Sequence, residues 1–422
     1  MRTRDLEKLQ QRLQEFLEET TACMGRSERR RWAGYYVRGL LLDGERKSIE
    51  PLAQRVGADV QGLQQFVGQS PWAAEELFKA LNQIARRDLA PARYWLVDET
   101  SFPKQGSHSV GVARQYCGTL GKLANCQVAV SLHWSSPELS WPIGWKLYLP
   151  QGWIGDTALR QKAGIPNSIR YRTKLELAME LIDEAQRQNL PAGTVLADQL
   201  YGKSFLWRAQ LYQKNLAYCV AVEPDTGVWL QPVQIQQCVG RGRPRLRPRR
   251  EEIVSLFNLA TEAPKEEWQS IVWREGSQGP QKSRFYFAAV WAAKRNGEAG
   301  QLERWTEYSL IEWPETQPAP TKYWLCWLQD RVPELLDLVQ QAKARYRVEQ
   351  DYRELKDELG LDHFEGRGWI GWHHHVALVT MAYLFLRLEQ NRSKKNSTGH
   401  STDDSTAIDS APDSAEWKGS LV

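Results

Sequence analysis

The first 88 residues carry apolar side chains at helical spacing. Leu6, Leu9, Leu13, Phe16 and Leu17 fall on one face of a helix. Leu52, Val56, Leu63 and Phe66 repeat the pattern around Gly57. That suits two helices joined by a tight turn, either a helix-turn-helix that reads DNA or a plain helical bundle. The texture changes at Pro91. Residues 94–97 form an apolar run, and 110–117 and 126–134 are β-branched or alternating, with Gly118 and Gly121 between them; three successive strands are predicted. A helix over 172–188, a short buried strand over 195–197, a helix over 203–214 and a strand over 216–222 follow. This order predicts an α/β layer with a mixed sheet. Beyond residue 223 the pattern is irregular up to residue 330. Strands at 284–293 and 323–328 make that region a β-rich insertion. A charged helix begins near Pro333 and stops at Gly360, and a mostly apolar helix covers 369–388. From Arg392 on, Ser, Thr, Asp and Lys leave little to bury, and a disordered tail is predicted.

At 422 residues the chain exceeds one ordinary core, so several domains are expected. The boundaries fall at 1–88, 89–222, 223–330, 331–392 and 393–422. A net charge of +4 is too small to argue for nucleic acid by itself; its distribution matters more. Residues 241–250 hold six Arg, no acid and two Pro, which forbid a regular helix or central strand there. The six Cys form no CxxC pair, which suits reduced thiols in the cytosol. The N-terminus lacks the apolar core of a secretory leader, and no run of about 18 apolar residues exists. No membrane span is expected.

The chemistry concentrates at three acids. Asp98 and Asp198 each follow a hydrophobic strand, where a carboxylate is costly unless paired or bound to a metal. An ordinary strand cap is the bland alternative for each. On the charged helix, Arg345, Glu349, Tyr352, Arg353 and Lys356 share one broad stripe, so one carboxylate sits among cations. A solvated, salt-bridged face would look the same. If the strands are neighbours and the helix closes over them, three carboxylates would suit Mg²⁺ or Mn²⁺ rather than Zn²⁺. Two such ions would clamp the attacking and leaving oxygens of a phosphoryl displacement.

Three blocks carry a resemblance. They are WLVDETSFPKQGSHSVGVARQYCGTLGKLANCQVAVSLHW, LADQLYG and EQDYRELKDELGLDHFEGRGWIGWHHH. Together they closely resemble bacterial insertion-sequence transposases of the DDE superfamily over roughly residues 25–390. The resemblance implies a ribonuclease-H-like mixed sheet flanked by helices, interrupted by the β-rich insertion, beside an all-helical N-terminal DNA-binding domain. It implies Asp98, Asp198 and Glu349 as the catalytic triad, holding two Mg²⁺ ions, with Mn²⁺ as a substitute. Arg345, Glu349 and Lys356 match a Tyr–Arg–Glu–Lys signature, with Ala342 in place of the Tyr; that departure puts a hairpin route for the second strand in doubt. Glu99 replaces a second Asp common in the family, and it is expected on the opposite face of the strand from Asp98.

The implied activity is cutting at transposon ends and joining the 3′-OH to target DNA. The implied partners are double-stranded DNA, as terminal inverted repeats and as target, and a second copy of the chain on paired ends. The implied setting is the bacterial cytoplasm, associated with the nucleoid when bound. A DNA-binding descendant without strand transfer and a related nuclease are the alternatives. Arg345, Arg353 and Lys356 are expected to hold phosphates, and Arg241, Arg243 and Arg245 to enter a minor groove or lie on phosphates. His363 is expected to contact DNA or support the site, with Lys104 and Lys122 near the backbone or in solvent. Consecutive His373, His374 and His375 diverge by about 100° each and suit a DNA-facing helix end better than a shared metal.

Overall fold

The computed structural model describes residues 3–89, 91–136, 139–232, 253–276, 279–292, 305–329, 331 and 334–398. Helices α1 (Thr3–Thr21), α2 (Ser27–Leu41), α3 (Ile49–Val56), α4 (Val60–Gln69) and α5 (Ala74–Asp88) come first. Strands β1 (Tyr94–Pro103), β2 (Ala113–Cys117), β3 (Lys122–Ser135) and β4 (Ser140–Tyr148) follow. Next are α6 (Gln151–Gly155), α7 (Thr157–Ala163), α8 (Lys174–Arg187), β5 (Thr194–Ala197), α9 (Gln199–Gly202) and α10 (Phe205–Gln213). Then come β6 (Tyr218–Val222), β7 (Gly227–Trp229), β8 (Val254–Ser255), α11 (Leu256–Glu262), β9 (Gln269–Gly276), β10 (Gly279–Ala292), β11 (Thr306–Trp313) and β12 (Lys322–Trp327). Helices α12 (Leu335–Ala344), α13 (Tyr346–Arg353) and α14 (Trp369–Thr398) complete the chain. The class is α/β with a mixed sheet.

The chain divides into two compact units. The first contains residues up to Ala92, Asp98–Pro191 and the chain from Arg347 on; the second contains Arg93–Val97 and Ala192–Tyr346. In the first, the apolar stripe of α1 is buried at Leu9, Leu13, Phe16 and Leu17. Gly57, at φ 62°, takes the left-handed turn between α3 and α4, and Asp59 caps α4 by accepting the Gly62 N–H. Thr173 and Glu176 form a reciprocal capping box on α8. Helix α14 is buried along Val376, Ala377, Leu378 and Val379 and again from Met381 to Phe385, so no face of it meets water there. It packs on α2, α4, α5 and β4. Strands β2 and β4 both run antiparallel to β3.

In the second unit, Tyr94, Trp95 and Leu96 of β1 run parallel to Thr194, Val195 and Leu196 of β5, and β5 runs parallel to β6. Antiparallel β12, β11 and β10 extend the sheet. Val222, Leu256, Val290, Ile311 and Leu325 form its core. Buried Arg208 donates from Nε to Glu307 at 2.8 Å.

The structure departs from the expected elements at four places. Strand β1 continues through Asp98 to Pro103, because Thr100 and Ser101 are buried and Ser101 is hydrogen-bonded to Thr119. Strand β4, in a stretch given no predicted element, contains Pro142 and Gly144; the ladder accommodates them at a register shift beside Leu132 and His133. The charged helix breaks at Arg345 and widens into a π-helical turn over Glu354–Glu358. Helix α14 runs on to Thr398, past Arg392. Among the described residues the cysteines are free, with Cys117, Cys126, Cys219 and Cys326 buried. No described helix is long and apolar enough to cross a membrane.

Candidate active site

Asp98 is 7% exposed inside β1, and its Oδ1 accepts the Glu99 N–H at 2.9 Å. Asp198 is half-buried and caps α9, with Oδ1 accepting the Leu200 N–H at 2.9 Å. The β1–β5 register pairs Leu96 with Leu196, so each Asp follows its strand's last paired position by two residues. Gly202 brings α9 close to β6: a Cβ there would lie 1.9 Å from the Ala221 carbonyl oxygen. Glu99 is engaged separately, its carboxylate accepting from Lys174 Nζ at 2.8 Å.

Glu349 lies exposed in the first turn of α13, while Val348, Asp351, Tyr352 and Leu355 form the buried side. Arg353 is exposed and Arg345 half-buried at the break before α13. Lys356 lies in the π-helical turn, whose wider hydrogen-bond spacing takes it off the seven-residue repeat with Glu349. Its ammonium donates to the Ser101 carbonyl at 3.0 Å and to the Thr119 hydroxyl at 2.9 Å, 5.5 Å from the centre of the Phe102 ring. Burial pushes its pKa down.

Lys104 is held in the same manner. Its ammonium donates to the Phe364 carbonyl at 2.7 Å, and burial lowers its pKa. His363 Nδ1 accepts the Lys47 N–H at 3.0 Å, so Lys104 and His363 are each bonded, to different partners, at the loop after Gly360. Lys122 is exposed. Arg241, Arg243 and Arg245 lie outside the described residues.

The three histidines at the start of α14 do not form an exposed helix end. His374 and His375 are buried, at 2% and 1% exposure. His374 stacks on Trp72 with centroids 3.7 Å apart, its ring nitrogens each 2.8 Å from the carbonyls of Val67 and Trp72. His375 donates from Nε2 to the Leu361 carbonyl at 3.1 Å and accepts at Nδ1 from the Tyr36 hydroxyl at 2.8 Å. The core claims these rings because α14 is enclosed by α2 and α4.

A polar network below α13 escaped the sequence reading. Asp351 accepts from His133 Nδ1 at 2.7 Å, Ser140 at 2.6 Å, Tyr383 at 2.9 Å and Arg387 at 3.3 Å. Burial works against its ionisation, but the His133 hydrogen bond and the nearby charges hold its pKa below the usual carboxylate range. The available signal was Ser131 and His133, two polar residues at alternate positions on the buried face of an apolar strand.

A cavity of about 720 Å³ in the same unit is lined by Asn82, Trp145, Lys146, Trp369 and His373, and by none of the three acids. Among the described residues no group of three or more His, Cys, Asp or Glu side chains is arranged to hold a metal ion. The acids remain candidates by donor chemistry: carboxylate oxygens are what a hard divalent cation takes.

The family model described as DDE superfamily endonuclease matches residues 19–280, a segment that holds Asp98 and Asp198 and stops before Glu349. A probable transposase for insertion sequence element IS701, from Microchaete diplosiphon, is 35% identical over 201 residues, which is 46% of this chain and 50% of that protein. The chain thus spans about half the length of the curated relative it matches. Among solved structures, the piggyBac transposase synaptic complex with hairpin DNA aligns with 94% of this chain and 84% of its own. The TM-score is 0.37 and the identity 10%, a likeness too slight to bear on fold or function. Because the family match takes in more than half of its residues, the chain belongs to the DDE superfamily of endonucleases.

Proposed function

We propose that the chain is a DNA transposase that cuts at the terminal inverted repeats of its element and joins the freed 3′-OH to target DNA. The observation that supports this reading is the parallel register of β1 and β5: Leu96 pairs with Leu196, and Asp98 and Asp198 each follow two residues later in the sequence. The mixed sheet and its flanking helices support a ribonuclease-H-like core, with residues 223–330 as the insertion and 1–88 as the DNA-reading helices.

Enzymes of this superfamily generally use divalent metal ions. Asp98, Asp198 and Glu349 are the residues that would hold them, as two Mg²⁺ ions with Mn²⁺ as substitute. When bound, such ions supply an activated water and offset the charge that develops on the phosphate. The chain's own cations do the rest. Arg345 and Arg353 hold phosphates of the bound strand, and Lys356 joins them by exchanging the Ser101 carbonyl for a phosphate oxygen. His363 and the 241–245 arginines extend the contact with DNA. Hydrolysis breaks the bond between phosphorus and the 3′-oxygen, leaving a 3′-OH. That hydroxyl then attacks a target phosphodiester and expels its 3′-oxygen. The second strand and the second end call for a homodimer.

The test is a strand-transfer assay with donor DNA bearing the element's ends, Mg²⁺ and a target plasmid. Joined product is expected. Nicks alone would assign the chain to the nucleases, and binding alone would make it a DNA-binding descendant. Asp198→Asn is expected to abolish cutting and leave end binding intact. Persistent cutting by that variant would overturn the acid assignment.

A further inference from the structure

Strands β2 and β3 form a hairpin with two different faces. The inner face is a small core of Cys117, Cys126 and Val128, with Ala124 and Tyr148 packed against it. The outer face should be polar if it met only water. Instead Tyr116 lies directly opposite Leu123, and the two are 61% and 62% exposed. Leu120, in the turn, is 46% exposed. A single exposed apolar residue needs no explanation, but a cross-strand pair with a third beside it forms a patch. The hairpin's β2 also stands at the end of the strand order, as an edge strand.

Within the hairpin's own stretch of chain the charge has one sign. From Thr100 to Pro137 the sequence has no Asp or Glu. Arg114, exposed, lies two residues before Tyr116 on the same face, whereas Lys122, directly opposite Cys117, belongs to the other face at the hairpin's end. A two-fold contact between copies of this face would set Arg114 near its own kind. A polyanion would meet it favourably. The turn is also held in place: the Thr119 N–H donates to Ser101 Oγ at 3.1 Å, and Thr119 Oγ1 donates to the Ser101 carbonyl at 2.8 Å. Lys356 donates to that same hydroxyl, which ties the turn to the segment following Glu349.

We propose that the outer face of the β2–β3 hairpin docks on duplex DNA, with Tyr116 and Leu123 against bases and sugars and Arg114 on a flanking phosphate. The geometry is that of an apolar wedge beside a cation, which reads unstacked steps or duplex ends rather than sequence. This inference rests on the DNA-acting reading above, and it adds a contact surface to that reading.

The experiment uses the full chain and a fluorescein-labelled random-sequence duplex, with anisotropy followed across a salt series. Tyr116→Ala is expected to weaken binding roughly 5- to 100-fold with the salt slope unchanged, while Tyr116→Phe keeps wild-type affinity. Leu123→Ala is expected to weaken binding several-fold. Arg114→Gln is expected to reduce the slope of log K against log salt by about 0.9, and Lys122→Gln, on the opposite face, to leave it unchanged. Since these side chains are exposed, melting curves should match wild type. If the wild type binds and cuts DNA but Tyr116→Ala and Leu123→Ala bind as tightly, this surface is wrong and the enzyme reading stands. If those variants break a dimer in sedimentation with DNA affinity intact, the face is a protein interface. If the wild type binds no duplex at any salt, both this inference and the reading beneath it fall.

Discussion

His133 sits between Ser131 and Asp351 in a hydroxyl–imidazole–carboxylate chain, with Ser131 Oγ 3.0 Å from Nε2 and Asp351 2.7 Å from Nδ1. The order of groups is that of a hydrolytic triad, but Ser131 and His133 are fully buried and Tyr352 Oη lies 2.6 Å from the Ser131 hydroxyl. No substrate reaches it, so the chain acts as an anchor. It fixes α13 to β3, and through Tyr383 and Arg387 to α14. Glu349 lies two residues from Asp351, about 200° around the helix, so the anchored side sets which way the exposed acid faces. Removing one partner of a buried charge cluster leaves the others uncompensated. Asp351→Ala is therefore expected to lose about 3–5 kcal/mol of stability in urea melts. Wild-type stability in that variant would rule out the anchor. His375 makes a second test at this scale. Its neutral ring is fully bonded to Tyr36 and Leu361, and burial drives its pKa down to about 3. The unfolded chain binds that proton near the ordinary pH of about 6.5, so its contribution is complete above that pH and is lost as pH falls toward 3. Urea melts between pH 6.5 and 4 are expected to show His375→Gln flatter than wild type by about 1.4 kcal/mol per pH unit. Parallel slopes would contradict it.

The elements show which signals the sequence carries. Strand β5, helix α8 and helix α10 lie where the apolar pattern sets them, because each is short and regular, the strand a fully buried apolar run and the helices with buried and exposed sides. Strand β4 was hidden by Pro142 and Gly144, and β1 was cut short by the polar run after Val97. Strand β4 pairs with the adjacent β3 but through a register shift that alternation does not reveal, and the β1 extension is held by the Ser101–Thr119 bonds, which no local window contains. The π-helical turn also has no local signature; Gly360, at φ 66°, marks only where the segment stops. Close approach was equally invisible. Nothing in LADQLYG states that Gly202 touches the next strand, yet a methyl group there would overlap the Ala221 carbonyl. Gly202→Ala is expected to push α9 off β6 and cost at least about 2–3 kcal/mol, read from the urea midpoint. Because Asp198 caps α9, the same substitution is expected to reduce DNA cutting more than DNA binding. Cutting and stability both at wild-type levels would show that α9 shifts without consequence.

For the molecule as a whole, the α/β class was legible because strands and helices alternate in texture along the chain. The grouping of distant segments was not. Arg12 pairs with Glu389, and Asn82 donates to the Ile143 carbonyl, so the first helices pack with the central strands and the last helix in one unit. Such pairings are written in three-dimensional complementarity rather than in periodicity. The three acids are likewise distant in sequence, and donor chemistry is what singles them out. If they bind divalent cations, binding must stabilise the fold by linkage, by about 2.7 kcal/mol at a hundredfold excess over Kd. Thermal melts of the wild-type chain are expected to rise with added Mg²⁺ or Mn²⁺ and to fall back with chelator. Asp98→Asn, Asp198→Asn and Glu349→Gln are each expected to remove most of that rise. Asp351→Asn, buried and already bonded on both oxygens, is expected to shift the baseline and leave the metal-dependent increment in place. An increment that survives in all three acid variants would place the cation elsewhere on the protein, and the proposed chemistry with it.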